Sequence, residues 1–347
     1  MLEAWANLDL YTPLGRVGAE ARRVEALGYD VLCVPDLVHD GIAAAALAIE
    51  ATERIHVTTT ALIAFPRSPM TVAVAAWDLQ ELAGGRFSLG LGPQVRGNIV
   101  SRFGTPWTPP APRMRDYVAA LRAIFACWQE GVPLDFESDH YRFDRMQPYT
   151  SPAPLANVAK GAAPMRIRLA GIGPNMVAVA GEVADGLHTH PTNACPRYLE
   201  EHARPHLARG AARSGREIPD FFVVANPLCA TGRDVAAVTR QRAEQRELLA
   251  TLFSTPSYWP SLELYGWRER GEQLHSRVRE GRWDTLAELV DDEMLDCFVP
   301  TATYAELADR LIERYQGLTH AVTIPLPDDP SEDDDLRQLL ARFRAAQ

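Results

Sequence analysis

The sequence predicts an α/β fold of the (β/α)8 TIM-barrel class, in which eight parallel strands alternate with helices around one core. Short apolar runs and helical patterns succeed one another at an even pace, which calls for a parallel sheet joined by crossover helices. At 347 residues the chain is long enough for one such barrel with insertions, because barrels of roughly 250 residues are routine. The competing doubly wound sheet needs a Gly-rich turn after its first strand. Here that turn reads Thr12-Pro13-Leu14-Gly15, with a single glycine.

Taken in order, residues 4–10 form the first strand, and 14–27 a helix closed by Gly28. Strand 31–35 precedes helix 43–53, and the Thr- and Val-rich run 55–63 precedes helix 72–82. The fourth strand, 87–91, ends on Gly90 and Gly92, and after a proline-bearing loop comes helix 113–128. Residues 166–170 are the fifth strand and 173–181 its helix; 186–189 and 196–214 make the sixth pair. The seventh pair is 221–230 and 234–252, and the eighth strand, 320–324, follows helix 304–315. Insertions fall near 93–112, 129–164 and 254–300, and no linker divides the chain, so residues 1–347 are read as one domain. The aromatic stretch 254–283 fits either a lid or local packing.

Composition narrows the function. Apolar residues make up 47% and charged residues 23%, ordinary for a globular enzyme with a full core. A net charge of −10 argues against a nucleic-acid groove or an anionic membrane as partner. Part of that charge lies in an acidic tail, 327–347, read as a solvated segment. Lys160 is the single lysine and is placed in a loop, so Schiff-base chemistry is a poor fit. The five cysteines are widely spaced with no CxxC pair, which gives neither a zinc ribbon nor a disulfide framework. Without a signal-like N-terminus or a run approaching about 18 apolar residues, the expected compartment is the cytoplasm.

In a barrel, chemistry gathers at the C-terminal ends of the strands. Those ends carry Asn7, Asp9 and Tyr11; Asp36, His39 and Asp40; Thr58, Thr59, Thr60 and Phe65; and Gln94, Arg96 and Asn98. Later ends carry Gly171-Ile172-Gly173-Pro174-Asn175, then His188, His190 and Asn193, then Asn226. His39 is a candidate proton carrier, with Asp36 as the carboxylate that would orient it. One of His188 and His190 is expected to point into the barrel, and His190, nearer the strand end, is the better candidate. The histidines and Cys195 match no common zinc spacing, so no metal is expected. Gly171 to Asn175 ends a strand and opens a helix, an arrangement whose free N–H groups bind phosphate. With the glycines at 90 and 92, this favours a phosphate-bearing cofactor.

The residues also carry a resemblance. Gly85-Arg86-Phe87 through Leu89-Gly90-Leu91-Gly92 resembles the central motif of the bacterial luciferase-like superfamily. Arg67-Ser68-Pro69, Arg102-Phe103-Gly104, Arg113-Met114-Arg115-Asp116-Tyr117 and Gly181-Glu182-Val183-Ala184-Asp185-Gly186 agree with it in order and spacing. Ala76-Trp77-Asp78-Leu79-Gln80 and Gly281-Arg282-Trp283-Asp284 resemble its actinobacterial branch of coenzyme F420-dependent oxidoreductases. The resemblance spans about residues 5 to 325. It implies a barrel, usually a homodimer, that binds the deazaflavin F420 or a flavin such as FMN in its mouth.

Carried onto this chain, phosphate contacts fall on Gly171, Ile172, Gly173, Pro174 and Asn175. The ring would lie near Thr59 and Thr60, where F420 members have a non-proline cis peptide, with Gly92 and Gln94 nearby. His39 maps to a loop that often holds a histidine near the reacting centre, and Arg96 and Asn98 would meet a small organic substrate. Relatives that oxidise sugar phosphates place a glutamate just after the glycine motif. Here Pro93-Gln94-Val95 stands there, which argues against that substrate. The implied activity is hydride transfer with F420. The alternatives are an FMNH2- and O2-dependent monooxygenase on the same barrel and a non-catalytic flavin-binding barrel.

Overall fold

The computed structural model describes residues 2–158, 164–216 and 221–346, so Lys160 lies outside the described residues. Eight strands close into a parallel cylinder: β1 (Glu3–Asn7), β2 (Val31–Val34), β3 (His56–Thr59), β4 (Phe87–Gly92), β5 (Ile167–Ala170), β6 (Gly186–His188), β7 (Phe222–Ala225) and β8 (Ala321–Thr323). Each pairs with the next and β8 returns to β1, so no sheet edge is left open. Helices follow the strands as the patterning predicts. Leu14–Leu27 and Tyr304–Tyr315 have the expected bounds, and Gly28 closes the first of them at φ 96°. Only a residue tolerant of the left-handed region serves there.

The third strand departs from expectation. Instead of one run over 55–63, His56–Thr59 is followed by a separate segment, Leu62–Ile63, and the Thr60–Ala61 peptide between them is cis. The register shows why the run breaks. Thr58 pairs with Ser88 and Leu62 with Leu91, so four residues on one strand span three on the other. The extra residue makes a bulge, which re-aims the chain at the barrel rim.

Strand residues alternate between two environments. Ala4, Leu32, Val57, Leu89, Leu169 and Val322 join the main core under the helices, whereas Trp5, Val31, Cys33, Val224 and Ala321 form a separate cluster inside the barrel. Cross-strand pairs bring Thr58, Ser88, Gly90, Arg168, Gly186 and His188 into register with that inner set. The interior is therefore mixed polar and aromatic. Arg168 illustrates it: the guanidinium donates to Ser88 Oγ at 2.6 Å and lies 4.9 Å from the Trp5 ring and 5.1 Å from that of Phe222.

Gly90 corrects one expectation. A Cβ there would lie 2.0 Å from the Thr59 carbonyl oxygen, so the space left by the missing side chain belongs to β3 and not to a ligand. Gly92 is different: its Cβ position falls 3.2 Å from Ala61 Cβ and 3.8 Å from Ala170 Cβ, among small residues at the rim.

The insertions are more ordered than their composition predicts. Within 129–164, Phe136–Glu137 and Arg142–Phe143 form a short antiparallel hairpin. It is anchored by Arg113 Nε, which donates to Tyr141 Oη at 3.0 Å. Within 254–300 the chain forms helices Pro260–Leu264, Arg268–Arg279 and Asp292–Phe298. Most of the aromatic stretch packs locally: Trp259 is buried and donates to the Phe253 carbonyl at 2.7 Å, and Tyr265 stacks on Trp267.

The acidic tail is likewise no merely solvated segment. Asp333–Ala345 is a helix that buries Leu336, Leu339, Leu340 and Phe343, while Asp333 pairs with Arg23 at 2.7 Å. Three aspartates in the first turn complement the positive end of its dipole, and apolar residues at helical spacing supply the buried face.

Candidate active site

At the C-terminal rim, β4 stands between the β3 bulge and the β5 turn, and these three strand ends bring together most of the expected cofactor residues. Thr59 is fully buried, and its hydroxyl is committed to Gly90, accepting from the N–H at 3.0 Å and donating to the carbonyl at 2.8 Å. That leaves half-buried Thr60 and Ala61 at the rim beside Gly92. Gln94 adopts φ 59°, a left-handed conformation uncommon for a side-chain-bearing residue. Its side-chain Oε1 accepts from Val95 N at 2.9 Å and Asn98 Nδ2 at 3.1 Å, so Gln94 and Asn98 act as one turn. Arg96 is exposed on the same turn.

On the other side of β4, Gly173 caps helix Pro174–Val183, whose first intrahelical bond runs from Val177 N–H to the Gly173 carbonyl. The N–H groups of Asn175 and Met176 precede that bond and face outward from the first turn, and Pro174 has none to satisfy. A Cβ on Gly173 would meet nothing within 4 Å, so the approach to this turn is open.

The loop after β2 does not pair its two candidates. Asp36 is buried, and both carboxylate oxygens are taken: Gly41 N at 2.9 Å, Ile63 N at 2.8 Å, and Arg67 Nη1 and Nη2 at 2.8 and 3.2 Å. It ties the β2 loop to the end of β3 and cannot orient His39. Asp40 instead caps helix Gly41–Glu50 and shares Arg67 at 2.7 Å. His39 is half-buried, with no hydrogen-bond partner among the described residues.

The two β6 histidines separate clearly. His188 is the inward one, buried in the barrel with its ring 6.0 Å from that of Trp5 and with neither ring nitrogen hydrogen-bonded. Burial, helped by the Arg168 charge, pushes its pKa down to about 3. His190 stands at the rim, its ring 4.5 Å from that of Tyr258, and burial lowers its pKa to about 4. Thr192 N–H and Oγ1 both approach His190 Nδ1, at 3.4 and 2.9 Å. Those bonds assign the proton to Nε2. Tyr258 is thus the member of the aromatic stretch that reaches the site.

Across the rim, Asn7 Nδ2 and Thr323 Oγ1 both donate to Asn226 Oδ1, at 2.9 and 2.8 Å, and Asn226 N–H donates to Thr189 Oγ1 at 2.9 Å. Sequence reasoning marked Asn7 and Asn226 but missed Thr323 and Thr189, which become partners only on ring closure. It also passed over Arg168. The signal there was a charged residue between Ile167 and Leu169 in an otherwise apolar strand. No group of three or more metal-ligating side chains occurs among the described residues.

His188 makes acid stability a test of the barrel interior. The unfolded chain takes up its proton near pH 6.5 whereas the folded chain resists to about pH 3. The unfolded state then binds more protons as pH falls between those values, so stability is lost by about 4 kcal/mol at pH 3 from this ring. Unfolding free energies measured from pH 7 to 4 should fall less steeply for His188→Leu than for the parent chain. Parallel slopes would show that His188 is not held neutral.

The chain is thus a closed (β/α)8 barrel with a bulged third strand and an open helix N-terminus after the fifth. The chain belongs to the luciferase-like monooxygenase family, whose model matches residues 2–321. An uncharacterized protein of Mycobacterium tuberculosis is 38% identical over 309 residues, 89% of each chain. The 5,10-methylenetetrahydromethanopterin reductase of Archaeoglobus fulgidus is 26% identical over 264 residues, 74% of this chain and 72% of the reductase. Among solved structures, the coenzyme F420-dependent tetrahydromethanopterin reductase of Methanopyrus kandleri superposes with a TM-score of 0.80 at 18% identity, over 99% of both chains. No helix of the described residues is long and apolar enough to cross a membrane.

Proposed function

We propose that this chain is an oxidoreductase that passes a hydride between coenzyme F420 and a small organic substrate, working as a homodimer in the cytoplasm. The observation that carries the reading is the adjacency of two complementary features at the ends of β3, β4 and β5. The small residues Ala61, Gly92 and Ala170, one from each strand end, leave a shallow floor for a planar ring. Directly beyond Ala170, the turn after β5 offers the outward N–H groups before Val177, suited to a phosphate. Family membership and the methanopterin reductase relative support the same class.

The bound deazaflavin would supply a two-electron hydride carrier; the chain supplies binding, orientation and proton handling. Gly171 to Asn175 would hold the phosphate, and Thr60, Ala61 and Gly92 would back the ring. Exposed Arg96 offers a positive charge to the ligand edge. Because His190 stays neutral down to about pH 4, its Nε2–H serves as a hydrogen-bond donor through the physiological range. His39, which has no partner among the described residues to hold its proton, is the better carrier to and from substrate. Asp36 acts at one remove, by fixing the loop that bears His39.

The second reading, an FMN-dependent monooxygenase, is favoured by the activity in the family's name. Cofactor titration separates the two. F420 added to the purified chain should show saturable fluorescence quenching at micromolar concentration, with FMN far weaker. Micromolar FMN binding and none for F420 would overturn the proposal.

A further inference from the structure

The turn that would receive the phosphate is held from behind by two side chains that no motif singles out together. Asn193 and Tyr198 are both fully buried. Asn193 Nδ2 donates to the Gly171 carbonyl at 3.2 Å, and Tyr198 Oη donates to the Ile172 carbonyl at 2.5 Å. His202 stacks on Tyr198 with ring centroids 4.7 Å apart, which keeps the phenol in place.

Peptide planarity gives these bonds a consequence. In a trans peptide the carbonyl and the following N–H point in opposite directions. Drawing the Gly171 carbonyl inward turns the Ile172 N–H outward, and drawing the Ile172 carbonyl inward does the same for the Gly173 N–H. Neither N–H has a backbone acceptor among the described residues. Two donors are thereby added to those of Asn175 and Met176, making a concave set of N–H groups of the kind that binds anions. A glycine is required at the start of this turn, because a Cβ at 171 would lie 2.7 Å from Met176 Cγ. The other end of the same amide is also used: Asn193 Oδ1 accepts from His190 N–H at 2.6 Å.

We infer that Asn193 and Tyr198 are positioning residues for the anionic end of the cofactor. They lock the two peptides of the Gly171–Ile172–Gly173 turn in the orientation a phosphate requires, and Asn193 joins that turn to the backbone of His190. The inference rests on the cofactor reading above and extends it to residues that touch no ligand. A rotated peptide would turn its N–H away from the phosphate and weaken phosphate-bearing ligands alone, whereas general loosening of the barrel should weaken every ligand that enters the mouth.

The test compares F420 with its phosphate-free 8-hydroxy-5-deazariboflavin core, titrated into the parent chain, Tyr198→Phe and Asn193→Ala. Tyr198→Phe removes one oxygen atom and keeps the ring stack, so it decides the matter should Asn193→Ala fail to fold. The expected result is a loss of about tenfold in F420 affinity, the size of one buried hydrogen bond, with affinity for the core unchanged. Equal affinity of Tyr198→Phe and the parent chain for F420, or an equal loss for both ligands, would overturn the inference and leave the cofactor reading standing. Should the parent chain bind FMN instead, FMN and riboflavin form the corresponding pair. Failure of the parent chain to bind F420 and FMN alike overturns the cofactor reading, and the inference with it.

Discussion

Gly90→Ala is expected to cost the chain more than about 4 kcal/mol of stability, at the extreme end of single substitutions. The added methyl would sit 2.0 Å from the Thr59 carbonyl oxygen and 3.1 Å from its carbon, both main-chain atoms. Neither strand can yield cheaply, because the Thr59 hydroxyl clamps the N–H and the carbonyl of Gly90 at once. Relief would require parting β3 from β4 next to the bulge that shapes the rim. Thermal unfolding should show a midpoint lowered by roughly 5 °C or more, or no soluble product. Gly173→Ala is the matched control, since a methyl there meets nothing within 4 Å and the backbone φ of −73° suits any residue. Identical melting of Gly90→Ala and the parent would show that the two strands do not approach so closely.

Asp36→Ala is expected to destabilise by about 3–5 kcal/mol, the range seen when one member of a buried ion pair is removed. The loss has two parts. Arg67, only 19% exposed at its side chain, would keep Asp40 alone as counter-charge. The N–H groups of Gly41 and Ile63 would lose their acceptor inside the protein, and an unmade buried hydrogen bond is costly. The double variant Asp36→Ala/Arg67→Met should recover part of the loss by removing the stranded charge. Denaturant titration of the three chains checks this, and a single-variant midpoint equal to the parent's would refute the role assigned to Asp36. The same variant would release the His39 loop, so any effect on turnover has to be judged against this stability change.

Much of the barrel is legible in the chain itself. The alternation of apolar runs with helical periods locates all eight strands, because a parallel sheet buried on both faces leaves an almost continuous apolar signal. The helix ending at Gly28 can be bounded because helix termination there is local chemistry. Where the patterning misleads, the deciding interaction is distant. Residues 55–63 look like one strand in isolation; only the register against Ser88 and Leu91 shows that a residue is in excess. Residues 327–347 look solvated because their acids are conspicuous, whereas Leu336, Leu339, Leu340 and Phe343 need the neighbouring helices to reveal a buried face.

The candidate site divides in the same way. Gly171 to Asn175 is recognisable as a strand end that opens a helix, and the family as luciferase-like, from residues adjacent in sequence. Asp36 and His39 also lie close in sequence, and that proximity misleads: Arg67 and Ile63 claim the carboxylate, and both come from beyond the next strand. Gly90 looks like room for a ligand until β3 fills it. Local patterning thus established the barrel class, the order of its strands and which strand ends carry polar groups, because propensity, periodicity and turn chemistry act over a few residues. Which of those groups are free for chemistry was decided only by closure of the ring. Hydrogen bonding is competitive, and the partners that won at Asp36, Thr59, Asn193 and Tyr198 lie on other elements that folding brings within about 3.3 Å.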